Sequence, residues 1–93
     1  MDNAMRKRLR SEGQRIETTV QVGKGGLTDG VRDELDGQLK RNHLVKVRIQ
    51  RGAGGGDREA EDAIARQLAE ALGAELVERR GHTILLYRQR KMR

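Results

Sequence analysis

Val20-Gln21-Val22-Gly23-Lys24-Gly25-Gly26-Leu27-Thr28 changes backbone habit twice within nine residues. From Glu17 to Val22, Thr18, Val20 and Val22 alternate with Glu17, Thr19 and Gln21. Alternation with β-branched residues on one side predicts a strand. Gly23 to Gly26 stops it, because glycines turn the backbone tightly and let it approach a ligand closely. Thr28 then suits a helix N-cap, and Asp29 suits the positive end of a helix. Leu27, Val31, Leu35 and Leu39 recur every four residues, so the helix is expected to run to Asn42 or His43. A strand feeding a helix through glycines places the chain in the α/β class.

The rest of the chain extends this unit in both directions. Asp2 or Asn3 can cap a short helix reaching about Ser11, with Met5 and Leu9 as a narrow apolar edge and Gly13 as its terminator. Leu44 to Gln50 predicts a second strand, with Val45, Val47 and Ile49 on one face and Leu44, Lys46 and Arg48 on the other. Arg51 to Gly56 is expected to be a glycine-rich loop. Asp57 starts a further helix whose apolar stripe is Ala60, Ala63, Ile64, Leu68, Ala71 and Leu72, with Gly73 in the C′ position. Glu75 to Glu78 and Thr83 to Arg88 predict a hairpin through Arg79 to His82, where Gly81 can take a positive φ. The expected order is α-β-α-β-α-β-β: a four-stranded mixed sheet with helices packed on it. Residues 1–93 are expected to form one domain, with a core from about 4 to 88 and a basic tail over 89–93.

Composition narrows the function. The chain has no cysteine, which removes disulfides and thiolate zinc sites. No apolar run approaches the roughly 20 residues that cross a bilayer, and Met1 to Arg10 lacks a signal peptide's apolar segment. The cytoplasm is therefore the expected compartment, with no membrane partner. The formal net charge of +6 is unevenly spread. Arg6, Lys7, Arg8 and Arg10 crowd the start, Arg79 and Arg80 flank the hairpin turn, and Arg88, Arg90, Lys91 and Arg93 close the chain. Acidic residues gather at Asp29, Asp33, Glu34 and Asp36, and again at Asp57, Glu59, Glu61 and Asp62. Such segregation favours a basic face and a polyanionic partner, of which nucleic acid is the commonest.

Catalytic chemistry finds little support. His43 and His82 are far apart and read as a helix-end and a turn residue. Asp33-Glu34 and Glu61-Asp62 are sequence neighbours on predicted helices, do not converge, and read as solvated faces. Ser11 has no base with a supporting motif. No catalytic residue, metal ligand, cofactor or small-molecule substrate is expected.

The glycine loop itself allows several readings. A Walker A loop needs Gly-Lys-Ser/Thr, which does not occur here. A dinucleotide fingerprint fits Gly23 and Gly25 but meets Thr28 where its third glycine belongs, in a chain too short for that fold. A Gly-x-x-Gly clamp on a nucleic-acid backbone is met by Gly23, Lys24, Gly25 and Gly26. A tight turn that needs glycine for geometry alone accounts for the same residues.

Val20 to Val31, read as Val-Gln-Val-Gly-Lys-Gly-Gly-Leu-Thr-Asp-Gly-Val, resembles the signature of the CRM domain, the YhbY-like family. The resemblance continues through Leu44-Val45-Lys46-Val47-Arg48-Ile49, Leu72-Gly73-Ala74 and Arg80-Gly81-His82-Thr83-Ile84-Leu85-Leu86-Tyr87-Arg88, covering about Ala4 to Arg88. It implies a compact α/β domain similar to the C-terminal domain of translation initiation factor 3. It also implies RNA as the partner, with stand-alone members associated with precursors of the large ribosomal subunit. By the same resemblance, Gly23, Lys24, Gly25 and Gly26 are implicated in RNA binding. The Arg51 to Gly56 segment is where this chain departs most from a typical member.

Tyr87 is the only aromatic residue, so stacking several bases on aromatic rings is unavailable. Phosphate contact is then the main expected term, with recognition of folded RNA by shape. The expected footprint is Gly23 to Gly26, Arg6, Lys7, Arg8, Arg10, Arg88, Arg90 and Lys91, joined by Lys46 and Arg48 if their face is open. Two other classes remain: a DNA-binding architectural protein of the Alba type, with a related β-α-β-α-β-β order, and a protein-interaction module in which the glycines only shape a turn.

Overall fold

The computed structural model describes residues 1–23, 25–50 and 57–89. Its elements are α1 (Asn3–Gly13), β1 (Val20–Val22), α2 (Asp29–Arg41), β2 (Leu44–Ile49), α3 (Arg58–Leu72), β3 (Glu75–Arg80) and β4 (Thr83–Tyr87). This is the order read from the sequence. The strands form one sheet in the spatial order β1-β2-β4-β3. β1 runs parallel to β2, and β4 is antiparallel to both β2 and β3, so the sheet is mixed. β3 carries a register shift between Leu76 and Glu78 against β4.

The helix boundaries have local causes. The Asp2 carboxylate accepts from the Met5 amide at 2.7 Å, Thr28 Oγ1 from Val31 at 3.2 Å, and Asp57 Oδ1 from Glu59 at 3.0 Å. Each satisfies an amide that the first helical turn leaves unpaired. α3 stops at Gly73, whose left-handed φ of 61° lets its own amide turn back onto the last turn. Gly81, at φ 60°, leads the two-residue connection of the β3–β4 hairpin.

Alternation along the strands sends side chains to two apolar layers. Val20, Val22, Val45, Val47, Ile49, Ile84 and Leu86 meet Leu35 and Leu39 of α2 and Ala65, Leu68 and Leu72 of α3. On the opposite face Leu44, Val77 and Leu85 meet Leu9 of α1, with Met5, Ile16 and Tyr87 packed around them. The sheet is therefore covered by two helices on one side and by one on the other.

Four local readings change. Gly13 does not terminate α1; it is buried as the helix's last residue, and a Cβ there would stand 2.5 Å from Leu85 Cδ2. Its missing side chain lets the helix lie close on the sheet. β1 begins only at Val20, although the Thr19 amide still donates to the Lys46 carbonyl of β2 at 3.2 Å. Thr19 Oγ1 donates to Gln38 Oε1 on α2, and Gln38 Nε2 donates to Glu34 Oε1 at 3.0 Å, which satisfies a buried amide. The buried stripe of α3 is Glu61, Ala65, Leu68 and Leu72, while Ala71 is exposed. Glu61 is not on a solvated face: its side chain is 4% exposed, against His82 Nδ1 at 2.5 Å and Arg79 Nη1 at 3.5 Å. Arg79 Nε also reaches Asp62 Oδ1 at 2.5 Å, so α3 grips the hairpin by charge as well as by packing.

Candidate nucleic-acid interface

The glycine loop leaves β1 at the sheet edge and enters α2. The Gly26 amide donates to the Gly23 carbonyl at 2.9 Å, closing a tight turn, and Gly26 sits at φ 65°. A side chain at Gly26 would meet no atom within 4 Å, so conformation rather than space demands glycine there. A Cβ at Gly25 would crowd Thr28 Cγ2 at 3.1 Å. The described glycines of the loop thus lie just ahead of the N-terminus of α2, where free amides favour an anion.

The predicted basic residues divide by what holds them. Lys7, Arg8 and Arg10 are exposed on α1. Lys7, Arg8 and Ser11 on α1, with Arg15 just past its end, line a shallow depression together with Ala4 and Glu12. Arg15 was not in the expected footprint, although its spacing from Lys7, Arg8 and Ser11 carries the signal. Arg48 is exposed on the sheet. Lys46 is half-buried below the end of α1, where its Nζ donates to the Gly13 carbonyl at 3.3 Å.

Arg6 and Arg88 are tied into the fold. Arg6 Nη1 donates to the carbonyls of Val77 at 2.6 Å and Leu76 at 3.2 Å, pinning α1 to β3. Arg88 Nη1 donates to Asp36 Oδ1 and to the Leu72 carbonyl, both at 2.8 Å, and its Nη2 donates to the Asp36 carbonyl at 3.1 Å. One guanidinium thus joins the end of β4 to α2 and α3. The Arg88 hydrogen bond is the largest cause holding the Asp36 carboxyl below its ordinary value, followed by the bond from Lys40. Lys24, Arg90 and Lys91 lie outside the described residues.

Between the end of α1 and the sheet lies a hollow of about 120 Å³, lined by Gly13, Gln14, Lys46, Glu78, Arg80 and Thr83 among others. Among the described residues no group of three or more His, Cys, Asp or Glu side chains converges, and no helix is long and apolar enough to cross a membrane.

With this geometry in view, the sequence pattern of the CRS1 / YhbY (CRM) domain matches residues 1–88. The chain belongs to the CRM domain family. A Methanocaldococcus jannaschii protein, named Probable RNA-binding protein, is 39% identical over 87 residues; they cover 94% of this CRM domain and 63% of that relative's length. A Haemophilus influenzae protein, named RNA-binding protein, is 31% identical over 86% of this chain and 77% of its own. A Staphylococcus aureus protein solved in solution superposes with a TM-score of 0.80 at 29% identity, covering 99% of this CRM domain and 92% of that chain. The α/β fold described above is therefore that of a CRM domain.

Proposed function

We propose that this CRM domain binds folded RNA, specifically ribosomal RNA in precursors of the large subunit, and assists assembly in the cytoplasm without a catalytic step. The observation that carries the reading is the pairing of the turn closed between Gly23 and Gly26 with exposed cations on α1 and β2 that have no ion-pair partner among the described residues: Lys7, Arg8, Arg10 and Arg48. Backbone amides and long cations are the groups that hold phosphates. The names of the relatives support RNA as the polyanion, and the family resemblance supports the ribosomal precursor. Lys24, at the tip of the glycine sequence, is assigned to a phosphate. Arg6 and Arg88 contribute through the fold they secure.

The test is binding of the full chain to fragments of large-subunit precursor RNA and to duplex DNA of equal length, across a salt series. RNA is expected to win, and Lys24→Glu with Arg8→Glu should weaken binding and flatten the log–log salt slope by about 1 per lost phosphate contact. Equal preference for duplex DNA would favour an architectural DNA-binding role. Unchanged affinity and slope in the double variant would overturn the placement.

A further inference from the structure

Strand register sets Gln21 beside Arg48, Arg48 beside Thr83, and Thr83 beside Arg80. One residue from each strand thus forms a single row across the whole sheet. The neighbouring row, Lys46, Leu85 and Glu78, lies at the end of α1. α1 stops at Gly13 over Leu85 and leaves the next row open: Gln21, Arg48 and Arg80 are exposed and Thr83 is half-buried. At ~4.8 Å between strands the row is roughly 14 Å wide. Neither arginine pairs with a carboxylate among the described residues. The row is also continuous with the glycine turn. Gln50 Nε2 donates to Gln21 Oε1, and Gln50 Oε1 lies 3.2 Å from where a Cβ of Gly23 would stand.

We propose that the row Gln21–Arg48–Thr83–Arg80 is a platform for an unpaired RNA segment that enters from the glycine turn. It rests on the RNA-binding reading above and adds a second kind of ligand to it. Two guanidinium groups on one row without a counter-charge raise the local positive potential, which an anionic strand relieves. Each presents a fork to a phosphate or a plane to a base. The Gln21 and Gln50 amides and the Thr83 hydroxyl both donate and accept, which suits base edges. In an A-form duplex the pairing edges are occupied and the major-groove edges lie in a deep, narrow groove that side chains cannot read, whereas unpaired nucleotides offer both. Tyr87, the only aromatic, sits two rows away with its ring edge-on to His43, so the platform stacks bases on arginine planes alone.

The test compares two RNA probes by fluorescence anisotropy: a blunt duplex, and the same duplex with an unpaired 3′ overhang. The full chain should bind the overhang probe more tightly. Arg48→Gln with Arg80→Gln should abolish that preference and lower the overhang probe's log–log salt slope by roughly 1.4, a larger loss than on the blunt duplex. Arg48→Lys with Arg80→Lys should keep the slope but lose affinity for the overhang, since an ammonium offers no plane. Melting curves confirm that the variants fold. Equal loss on both probes, or no loss on either, overturns the platform and leaves the RNA-binding reading standing. Failure of the unaltered chain to bind either probe overturns both.

Discussion

Replacing Arg88 by alanine separates a cation that holds RNA from one that holds the fold. The guanidinium makes two bonds to main-chain carbonyls, at Leu72 and Asp36, and one to the Asp36 carboxylate. Hydrogen bonds from a charged donor are each worth about 1.5–3 kcal/mol when shielded. The Arg88 side chain is 21% exposed, so water partly replaces each lost partner. We take about 1 kcal/mol for each carbonyl bond and leave the water-facing carboxylate pair out of the sum. The sum, about 2 kcal/mol, lowers the melting midpoint of a domain this size by roughly 8–16 °C. Arg88→Lys should lose about half as much, because a single ammonium cannot span both carbonyls. Thermal unfolding followed by far-ultraviolet circular dichroism measures the shift. RNA affinity, measured well below both transitions, should stay within twofold of the unaltered chain. Weakened RNA binding in Arg88→Ala with an unmoved melting midpoint would refute the structural assignment and restore Arg88 to the interface.

Leu68 is fully buried between α3 and the sheet, so Leu68→Ala should cost about 3 kcal/mol in urea unfolding, with an unchanged denaturant slope. Glu61→Ala leaves His82 without its carboxylate and Arg79 with Asp62 and the Gly81 carbonyl, and should cost about 2 kcal/mol, with faster amide exchange at Ile49, whose amide donates to the His82 carbonyl at 2.7 Å. The Arg88 hydrogen bond, followed by that of Lys40, holds the Asp36 carboxyl below its ordinary value in the folded chain. Its contribution is therefore complete above about pH 4 and fades as pH falls through the folded value. The stability gap between the unaltered chain and Asp36→Asn should be flat near neutrality and narrow in acid, as read from urea midpoints across pH.

The elements were legible because their signals are local: alternation in Val45, Val47 and Ile49, capping at Thr28 and Asp57, and glycine at Gly73 and Gly81. Contacts between distant segments were not. Gly13 looks like a stop signal, yet its reason is Leu85, more than seventy residues away. Glu61 heads the buried spacing 61, 65, 68, 72; Leu68 and Leu72 stand in the apolar stripe, whereas hydropathy alone assigns a carboxylate at 61 to solvent. Its partners Arg79 and His82 come from the hairpin, whose packing against α3 sequence spacing does not give. The same limit governed the interface. Charge runs identified basic segments, but only the register separates exposed Arg48 and Arg80 from Arg6 and Arg88, whose heads point into the fold.

The sheet's two margins bear on what else the chain can join. On one side β1 is only three residues long. On the other, β3 is shifted in register between Leu76 and Glu78 and studded with Glu75, Glu78, Arg79 and Arg80. A short margin offers too few free amides to template a visiting strand, and a kinked, charged one is too uneven. The domain is thus guarded at both rims against sheet extension and amyloid-like stacking, so a highly charged chain with a modest core can be crowded beside its own copies without zipping into them.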